Sequence, residues 1–254
     1  YSGLKQGDDK SDALWLAEML RLKILPEGYI FPKETRAVRD LLRRRMQLVQ
    51  QRTALLLSMK GMISNCTGQR VNRSKLKKLS SKEIEEIFKR SCEVLSAQSL
   101  KQIIDALDAQ IKIIEKAVLE KVKLKKEFKN LLTVTGIGEI LGLPIMLETG
   151  DIRRFREVGD YSSYCRCVPS RRISNEKNKG KGNRKNGNRY LAWSFVEVAH
   201  YIQRFSPKAK SWFQKKSSKR NNIVATKALS NKIVRACYYI MKDQKAYNPK
   251  KMFG

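Results

Sequence analysis

One long polar stretch limits what the second half of this chain can fold into. Residues 164–191 read YCRCVPSRRISNEKNKGKGNRKNGNRYL, which is rich in Lys, Arg, Gly and Asn and poor in apolar residues. Apolar patterns typical of helices lie on both sides of it. A packed domain seldom contains so long a polar loop unless the loop has a function. We therefore expect a surface loop that contacts a polyanion.

The charge of the chain points to the same class of partner. The 254 residues include 54 Lys and Arg but only 24 Asp and Glu, a formal net charge of +30. Nucleic acid is the favoured partner, because clustered cations neutralise phosphates. An anionic membrane surface is the weaker interpretation. No apolar run reaches the roughly 18 residues of a spanning helix, and we expect no signal peptide.

The numbers and positions of the His and Cys residues restrict the possible catalytic chemistry. The one histidine, His200, lies in an apolar helical run and is predicted to be a core residue. Five cysteines are present, and only Cys165 and Cys167 are close, in a C-x-C pattern that is not typical of zinc sites. The odd count suits a reducing compartment. Histidine triads and histidine metal sites are disfavoured, so catalysis would use carboxylates, hydroxyls or cations.

Two aspartates open the first predicted helix, which runs from Asp9 to about Leu25. Asp9 and Asp12 are three residues apart and share one face of a helix. They could be an N-cap and a favourable charge in the first turn. They could also be two carboxylates for a divalent metal. The spacing alone favours the first interpretation.

Proline and glycine end this helix near residue 26. The short apolar piece Tyr29-Ile30-Phe31 is predicted to be either an edge strand or an extended linker. A long helix follows from Glu34, and its non-apolar face carries six arginines with one acid, Asp40. A phosphate-facing surface is favoured over a merely solvated one. These arginines are Arg36, Arg39, Arg43, Arg44, Arg45 and Arg52.

A coiled coil is predicted in the next part of the chain. Residues 65–80 are a basic linker, Ser80 or Ser81 with Glu83 can cap a helix, and residues 81–130 are expected to be helical throughout. With the preceding helix this segment would form an antiparallel hairpin or a dimer arm. Its apolar seam steps by 4-3-4-3-4 through Leu100, Ile104, Leu107, Ile111, Ile114 and Val118.

The segment Thr135-Gly136-Ile137-Gly138 separates two apolar helical pieces and is similar to a helix-hairpin-helix turn. In such turns, glycines let backbone N–H groups approach a phosphate at a helix N-terminus. A plain turn without a ligand is the alternative, and the net charge favours phosphate.

After the polar stretch, a helix is predicted over residues 190–205, a second basic loop over 207–222 and a final helix over 222–241. The residues expected on the buried side of the final helix are Ile223, Ala228, Ile233, Ala236 and Ile240.

Three motifs, taken in their order along the chain, resemble those of a known protein family. D-x-x-D-A-x-x-L-A lies at residues 9–17, and T-G-I-G with a following G-D-I-R-R-F lies at 135–155. Pro169 and Ser174 come next, before G-N-R-K-N-G-N-R-Y-L at 182–191. With a coiled coil between the first two, this order resembles the Piv/MooV-type DEDD transposases of insertion sequences (the "IS one-ten" group), some of which use a bridge RNA. The resemblance extends from Asp9 to about residue 247.

The resemblance implies a mainly α fold in three parts. Residues 1–66 would be the C-terminal part of an RNase-H-like (RuvC-like) domain with a long helix, 67–130 a coiled coil, and 131–254 a helical transposase domain. The last part would hold the helix-hairpin-helix-like turn and the basic serine loop. Asp9 and Asp12 match the last two of four acids that bind Mg²⁺, so the first two would lie upstream.

The resemblance also implies a reaction. Ser174 matches a serine that attacks DNA and becomes linked to a phosphate. Because Ser174 is far in sequence from Asp9 and Asp12, that active site would be composite. The implied enzyme is a cytoplasmic, nucleoid-associated prokaryotic DNA recombinase, with DNA and a guide RNA as partners, that forms a homodimer or tetramer through the coiled coil. The expected nucleic-acid contacts are Gly136, Gly138, Arg171, Arg172, Lys177, Lys185 and Arg189.

Two departures from the family pattern concern the serine motif. The family has Gly after the serine, where this chain has Asn175, and Gly-Leu before the proline, where it has Arg166-Cys167-Val168. The alternatives to an active recombinase are a helical protein that binds nucleic acid without chemistry and a structural RNA-associated protein.

Overall fold

The computed structural model describes residues 8–253 except 26, 123–124, 169–170 and 182–185. It is mainly α-helical, as predicted. Two compact units are present, Tyr1–Pro32 and Lys33–Gly254. Within the described residues, no helix is long and apolar enough to cross a membrane. The RNase-H-like origin of residues 1–66 and the predicted limits at 66 and 130 stay predictions.

The helices and strands follow one another along the chain with short connections. They are α1 (Asp9–Arg21), α2 (Lys33–Thr67), α3 (Arg73–Lys78), α4 (Ser81–Ile87), α5 (Ser91–Val122), α6 (Lys126–Leu132), α7 (Glu139–Thr149), a 3₁₀ turn (Ile152–Arg154), α8 (Val158–Tyr164), β1 (Arg171–Ser174), β2 (Lys177–Lys181), α9 (Arg189–Phe205), α10 (Pro207–Lys219), α11 (Asn222–Asp243) and α12 (Pro249–Phe253).

The first unit contains α1 and the segment that follows it. The side chain of Asp8 caps the helix by accepting a hydrogen bond from the Ser11 N–H at 2.7 Å. The helix ends at Arg21, earlier than predicted, because Lys23 adopts a left-handed φ of 56° that a helix cannot contain. Residues 29–31 form no strand, so the edge-strand interpretation is wrong and the extended linker holds.

In the second unit, α2 and α5 pair along their length. Their direction is antiparallel, because Arg45 pairs with Glu115 while Arg52, further along α2, pairs with the earlier residue Asp108. The hairpin interpretation therefore holds within one chain. The predicted seam is correct: three of its residues are buried and the other three are half-buried. The buried ones are Ile104, Ile111 and Val118.

The end of this hairpin is covered by α3 and α4, which the sequence did not show as separate elements. The predicted linker contains α3, and the expected continuous helix over 81–130 is broken at residues 88–90 and again before Lys126. Phe88 causes the first break, because it turns into extended backbone and is buried in the small core. The capping box of Ser80 and Glu83 is confirmed.

A larger core is built from α6 to α12 around α7, in which every residue from Leu141 to Thr149 is buried. The predicted basic loop over 207–222 is wrong, because this segment is mostly α10. Ser206 caps that helix and Trp212 packs against the core.

In α11 the prediction holds for Ile233 and Ile240, which are buried, while Ala228 and Ala236 are half-buried. It is wrong for Ile223, which is 78% exposed.

We expect Ile104→Ala to lower the free energy of unfolding by about 2–4 kcal/mol, because its side chain is fully buried and truncation leaves a cavity. The neighbouring Ile103 is 50% exposed, so Ile103→Ala should change it by less than about 0.5 kcal/mol. Urea denaturation followed by circular dichroism measures both. Equal effects of the two substitutions would contradict the assigned face of α5.

Candidate nucleic-acid interface

The predicted polar loop contains a β-hairpin. β1 and β2 pair in antiparallel register, with Ser174 opposite Lys177. The two residues between them, Asn175 and Glu176, have φ values of +49° and +59°. A two-residue turn with both φ values positive is a type I′ turn, whose twist matches that of the strands. The prediction of a loop is therefore wrong for residues 171–181, and Ser174 is the last strand residue before the turn.

The conformation of Asn175 bears on the first departure from the family pattern. A left-handed φ strains most side chains, but Gly adopts it freely and Asn tolerates it better than most residues. Asn175 therefore suits the same backbone that a glycine would take after Ser174. Asn175 in place of glycine preserves the turn. This departure from the family pattern is therefore weaker evidence against activity than the sequence alone indicates.

The two ends of the polar stretch are held together at its base. The Asn188 N–H donates to the Tyr164 carbonyl at 2.6 Å. The Arg166 guanidinium donates to the Gly187 carbonyl at 2.8 and 3.1 Å. Gly187 has φ +86°, and a Cβ there would lie 2.5 Å from the Tyr164 carbonyl oxygen. Only glycine therefore fits where the chain closes on itself.

A buried carboxylate anchors this base to the rest of the unit. Glu148 of α7 is 1% exposed. It accepts hydrogen bonds from Arg43 Nε at 2.5 Å and Nη2 at 2.7 Å. Asn188 Nδ2 donates to it at 2.7 Å and lies 3.3 Å from the Tyr164 hydroxyl. The hydrogen bonds to Glu148 raise the pKa of the Arg43 guanidinium above its ordinary value.

The side-chain oxygen of Asn188 caps the start of a helix. This atom, Oδ1, accepts from the Tyr190 and Leu191 N–H groups at 2.9 and 3.2 Å, which caps α9. Arg43 also lies over the Tyr190 ring, 4.7 Å from its centre. Asn188 thus joins α7, the hairpin base and α9, and Arg43 of α2 contacts the same cluster through Glu148 and Tyr190. Buried polar contacts therefore hold the two ends of the polar stretch to the core.

The arginines of α2 are less available to phosphate than expected. Arg43, Arg45 and Arg52 form ion pairs with Glu148, Glu115 and Asp108. The phosphate-facing interpretation is wrong for these three, because their charges hold α2 to α5 and α7. Arg44 is exposed and donates to Gln47 at 2.5 Å. Arg36 is also exposed, and Arg39 is half-buried.

The two glycines of the expected phosphate-binding turn have different roles. Gly136 has φ +91°, and a Cβ there would lie 2.8 Å from the Ile202 nitrogen. It is therefore needed where the α6–α7 turn packs against α9. Gly138 is the N-cap of α7 and has open space around it. Packing accounts for Gly136, while a phosphate contact at Gly138 stays a prediction.

The remaining expected contacts lie on or near the hairpin. Lys177 is exposed on β2. Arg189 is the exposed first residue of α9, and its guanidinium lies 4.9 Å from the centre of the Tyr190 ring. For Arg171, Arg172 and Ser174 the description is limited to the backbone of β1. Lys185 lies outside the described residues.

His200 and the C-x-C cysteines have opposite surroundings. His200 is exposed, so the predicted core position is wrong; α9 buries the face of Phe195 and Ile202, and His200 lies off that face. Cys165 and Cys167 are buried. Burial raises the pKa of the Cys167 thiol to about 11, so it stays protonated at neutral pH.

Asp9 and Asp12 lie in the first turn of α1 and are exposed. Two water-accessible carboxylates suit Mg²⁺, which prefers oxygen ligands and keeps several waters. Within the described residues, no group of three or more His, Cys, Asp or Glu side chains could hold a metal ion. A magnesium site at Asp9 and Asp12 therefore stays a prediction.

Comparison with known proteins shows which class of protein this region is similar to. Residues 128–214 match the model of the transposase IS116/IS110/IS902 family, and this segment contains the hairpin, its base and α9. A Pseudomonas aeruginosa protein named "Probable family 20 transposase" is 26% identical over 226 residues, 85% of this chain and 66% of that relative. The chain thus spans slightly less than two thirds of the relative. The two matches confirm the resemblance to insertion-sequence transposases of the IS110 type.

The roles of Glu148, Arg43 and Asn188 were not found from the sequence. A signal was present, because Glu148 is an acid at the end of an apolar helical run, IMLET, and a buried carboxylate requires a cation or several donors. The sequence does not show that the cation comes from α2, 105 residues earlier.

Replacing Glu148 by Gln should lower the free energy of unfolding by about 2–3 kcal/mol, because Arg43 would keep a partly buried charge without its counterion. Asp105→Asn is the control, since it removes an i,i+4 pair with Lys101 whose carboxylate is 54% exposed, and it should cost less than about 0.5 kcal/mol. Chemical denaturation measures both. Similar small costs for the two substitutions would contradict an anchoring role.

Gly136→Ala should destabilise the protein by at least about 2 kcal/mol, because the new methyl meets the backbone of Ile202 at a positive φ. Gly138→Ala should cost less than about 1 kcal/mol. Thermal unfolding distinguishes them. If both were stable and both lost DNA affinity, a phosphate-binding role for both glycines would be supported instead.

Proposed function

We propose that this chain acts as an insertion-sequence transposase that cleaves and rejoins DNA strands through Ser174. The main support is the position of Ser174 in the hairpin. It is the last residue of β1, next to a two-residue turn, on a basic hairpin whose base is fixed by the Glu148 network. A nucleophile at such a tip can approach a phosphate in a DNA groove, while the base stays in place.

The charge of the hairpin supports DNA as the substrate. Lys177 and Lys179 are exposed on β2, and Arg189 is exposed beside the base. Cations next to the reacting phosphate neutralise the charge that develops in the transition state. The net charge of +30 adds long-range attraction to any polyanion.

The proposed reaction is a transesterification. The Ser174 hydroxyl oxygen bonds to phosphorus, the bond from phosphorus to one strand oxygen breaks, and the proton of the hydroxyl is transferred to the leaving oxygen. Attack by a DNA hydroxyl on the resulting serine phosphodiester reverses the exchange on a new strand, so no external energy source is needed.

Asp9 and Asp12 are proposed to hold Mg²⁺. A bound magnesium ion supplies a lowered hydroxyl pKa and neutralises charge on the phosphate. Guidance by RNA and assembly into a dimer or tetramer through the α2–α5 hairpin are further parts of the proposal, taken from the family resemblance.

Binding of nucleic acid without chemistry is the second candidate. It is favoured by one observation: within the part of the chain that the structure describes, no acidic cluster of three or more is present beside the aspartate pair. Covalent capture of DNA distinguishes the two candidates.

We expect Ser174→Ala to abolish covalent attachment to DNA and to change the affinity for the same DNA by less than about threefold, because only the nucleophile is removed. The protein encoded by the complete reading frame is incubated with labelled DNA of the element's ends, candidate guide RNA and Mg²⁺. The adduct is detected on a denaturing gel, and the affinity by fluorescence anisotropy.

Asn175 provides the matched controls. Asn175→Gly should keep the adduct within about twofold, because glycine adopts the same φ, whereas Asn175→Val should reduce it strongly, because a β-branched residue is strained there. An adduct that persists in Ser174→Ala would contradict the proposed nucleophile. No adduct in the wild type, with DNA binding retained, would favour the second candidate.

A further inference from the structure

A cleft at the C-terminal end of α9 has features that packing does not explain. It lies where α9 meets α10, has a volume of about 750 Å³, and is lined in part by His200, Arg204, Phe205 and Lys210. Phe205 is 67% exposed. No Asp or Glu is among the described residues that line it. An exposed aromatic ring among cations is a combination that favours a ligand with both flat apolar surface and negative charge.

A second exposed aromatic residue lies next to this cleft. Tyr201 is 39% exposed, and the Arg204 guanidinium lies 5.2 Å from the centre of its ring. Phe205 follows Tyr201 by four residues, so both rings project from adjacent turns of α9. Two accessible rings one turn apart can each present a face to a planar group.

The exposed side of α9 connects this cleft to the hairpin base. Arg189, Trp193, His200 and Arg204 recur at intervals of four, seven and four residues, which places them on one face of the helix. The first of them adjoins the hairpin base and the last lines the cleft. Half-buried Glu197 lies at the edge of this face and is its one acid among the described residues of α9.

The length of this face can be compared with a nucleic-acid strand. From Arg189 to Arg204 the helix rises about 22 Å, which corresponds to about six stacked nucleotides. A strand whose phosphate is near the hairpin would therefore reach the cleft several nucleotides away.

We propose that the exposed face of α9 and the cleft at its end bind single-stranded DNA, with Phe205 and Tyr201 stacking on bases and Arg204 and Lys210 contacting phosphates. Stacking requires unpaired bases, because in a duplex the faces of the bases are already covered. The choice of DNA rests on the proposed function, in which the strands exchanged at the hairpin are DNA.

The test measures binding without strand cleavage. The chain with Ser174→Ala is titrated against three fluorescein-labelled probes of equal length: dT15, a 15-base-pair duplex and rU15. Because no cleavage is involved, failure of this proposal is distinguishable from failure of Ser174 as the nucleophile.

Phe205→Ala should weaken binding of dT15 about tenfold, and binding of the duplex less than twofold, because each stacked base contributes to single-strand affinity. Phe205→Leu should lose as much as Phe205→Ala while keeping apolar volume, and Phe205→Tyr should bind within twofold of the parent. Leu57→Ala is the matched control, an exposed apolar residue on α2 that should have no effect.

The charge contribution has its own matched pair. Lys210→Glu should weaken dT15 binding at least fivefold. Lys112→Glu changes the net charge by the same amount at an exposed position on α5, and it should weaken binding less than twofold. Equal losses for the two would show a non-local charge effect and overturn the proposal.

Three other results would also overturn it. They are binding of dT15 within twofold in Phe205→Ala, an equal loss for the duplex, and tighter binding of rU15 than of dT15 with the same dependence on Phe205. The last result would assign the cleft to RNA. If Phe205→Ala lowers the melting temperature, its loss of binding could come from unfolding. The comparison of Phe205→Leu with Phe205→Tyr then tests stacking, since both substitutions keep a large apolar side chain.

Discussion

The buried carboxylate of Glu148 is the interaction on which the arrangement of the second unit depends. A buried charge is unfavourable unless it is paired and fully hydrogen-bonded, and Glu148 is bonded to both Arg43 and Asn188. These partners belong to α2 and to the start of α9. Satisfying one carboxylate therefore requires α2, α7 and the hairpin base to be in place together, so the α2–α5 hairpin and the two ends of the polar stretch are held to the same core.

Backbone conformation determines where the polar stretch closes and where it turns. Gly187 allows the chain to close at the base, and the left-handed pair Asn175 and Glu176 turns it at the tip. Between them the pairing of β1 with β2 gives Ser174 a defined register opposite Lys177. This backbone carries Ser174 at the end of a basic strand, which is the position the proposed function uses, and the family match covers the long polar segment that contains it.

Much of the helical frame could be predicted from the sequence, because apolar periodicity reports directly on which face of a helix is buried. The seam of α5 is the clearest case, and the length of α9 is another. The failures came where tertiary contacts decide. His200 was assigned to the core from its apolar neighbours, yet it lies off the face of α9 that packs. The arginines of α2 were assigned to phosphate, although three of them pair with acids far away in sequence. The hairpin was missed because its strands are polar and its turn lacks the usual glycine.

Hydrogen exchange at the hairpin base would test the anchoring role of Glu148 most directly. The amides of Asn188, Tyr190 and Leu191 donate to Tyr164 and to the Asn188 side chain, so they report on that base. In Glu148→Gln, compared with the wild type, exchange at these three amides should accelerate at least about tenfold more than exchange at the Ile104 amide of α5, a difference of about 1.4 kcal/mol in local opening. Equal acceleration at Ile104 and at the three amides, or no change at the three amides, would contradict the claim that Glu148 anchors the hairpin base.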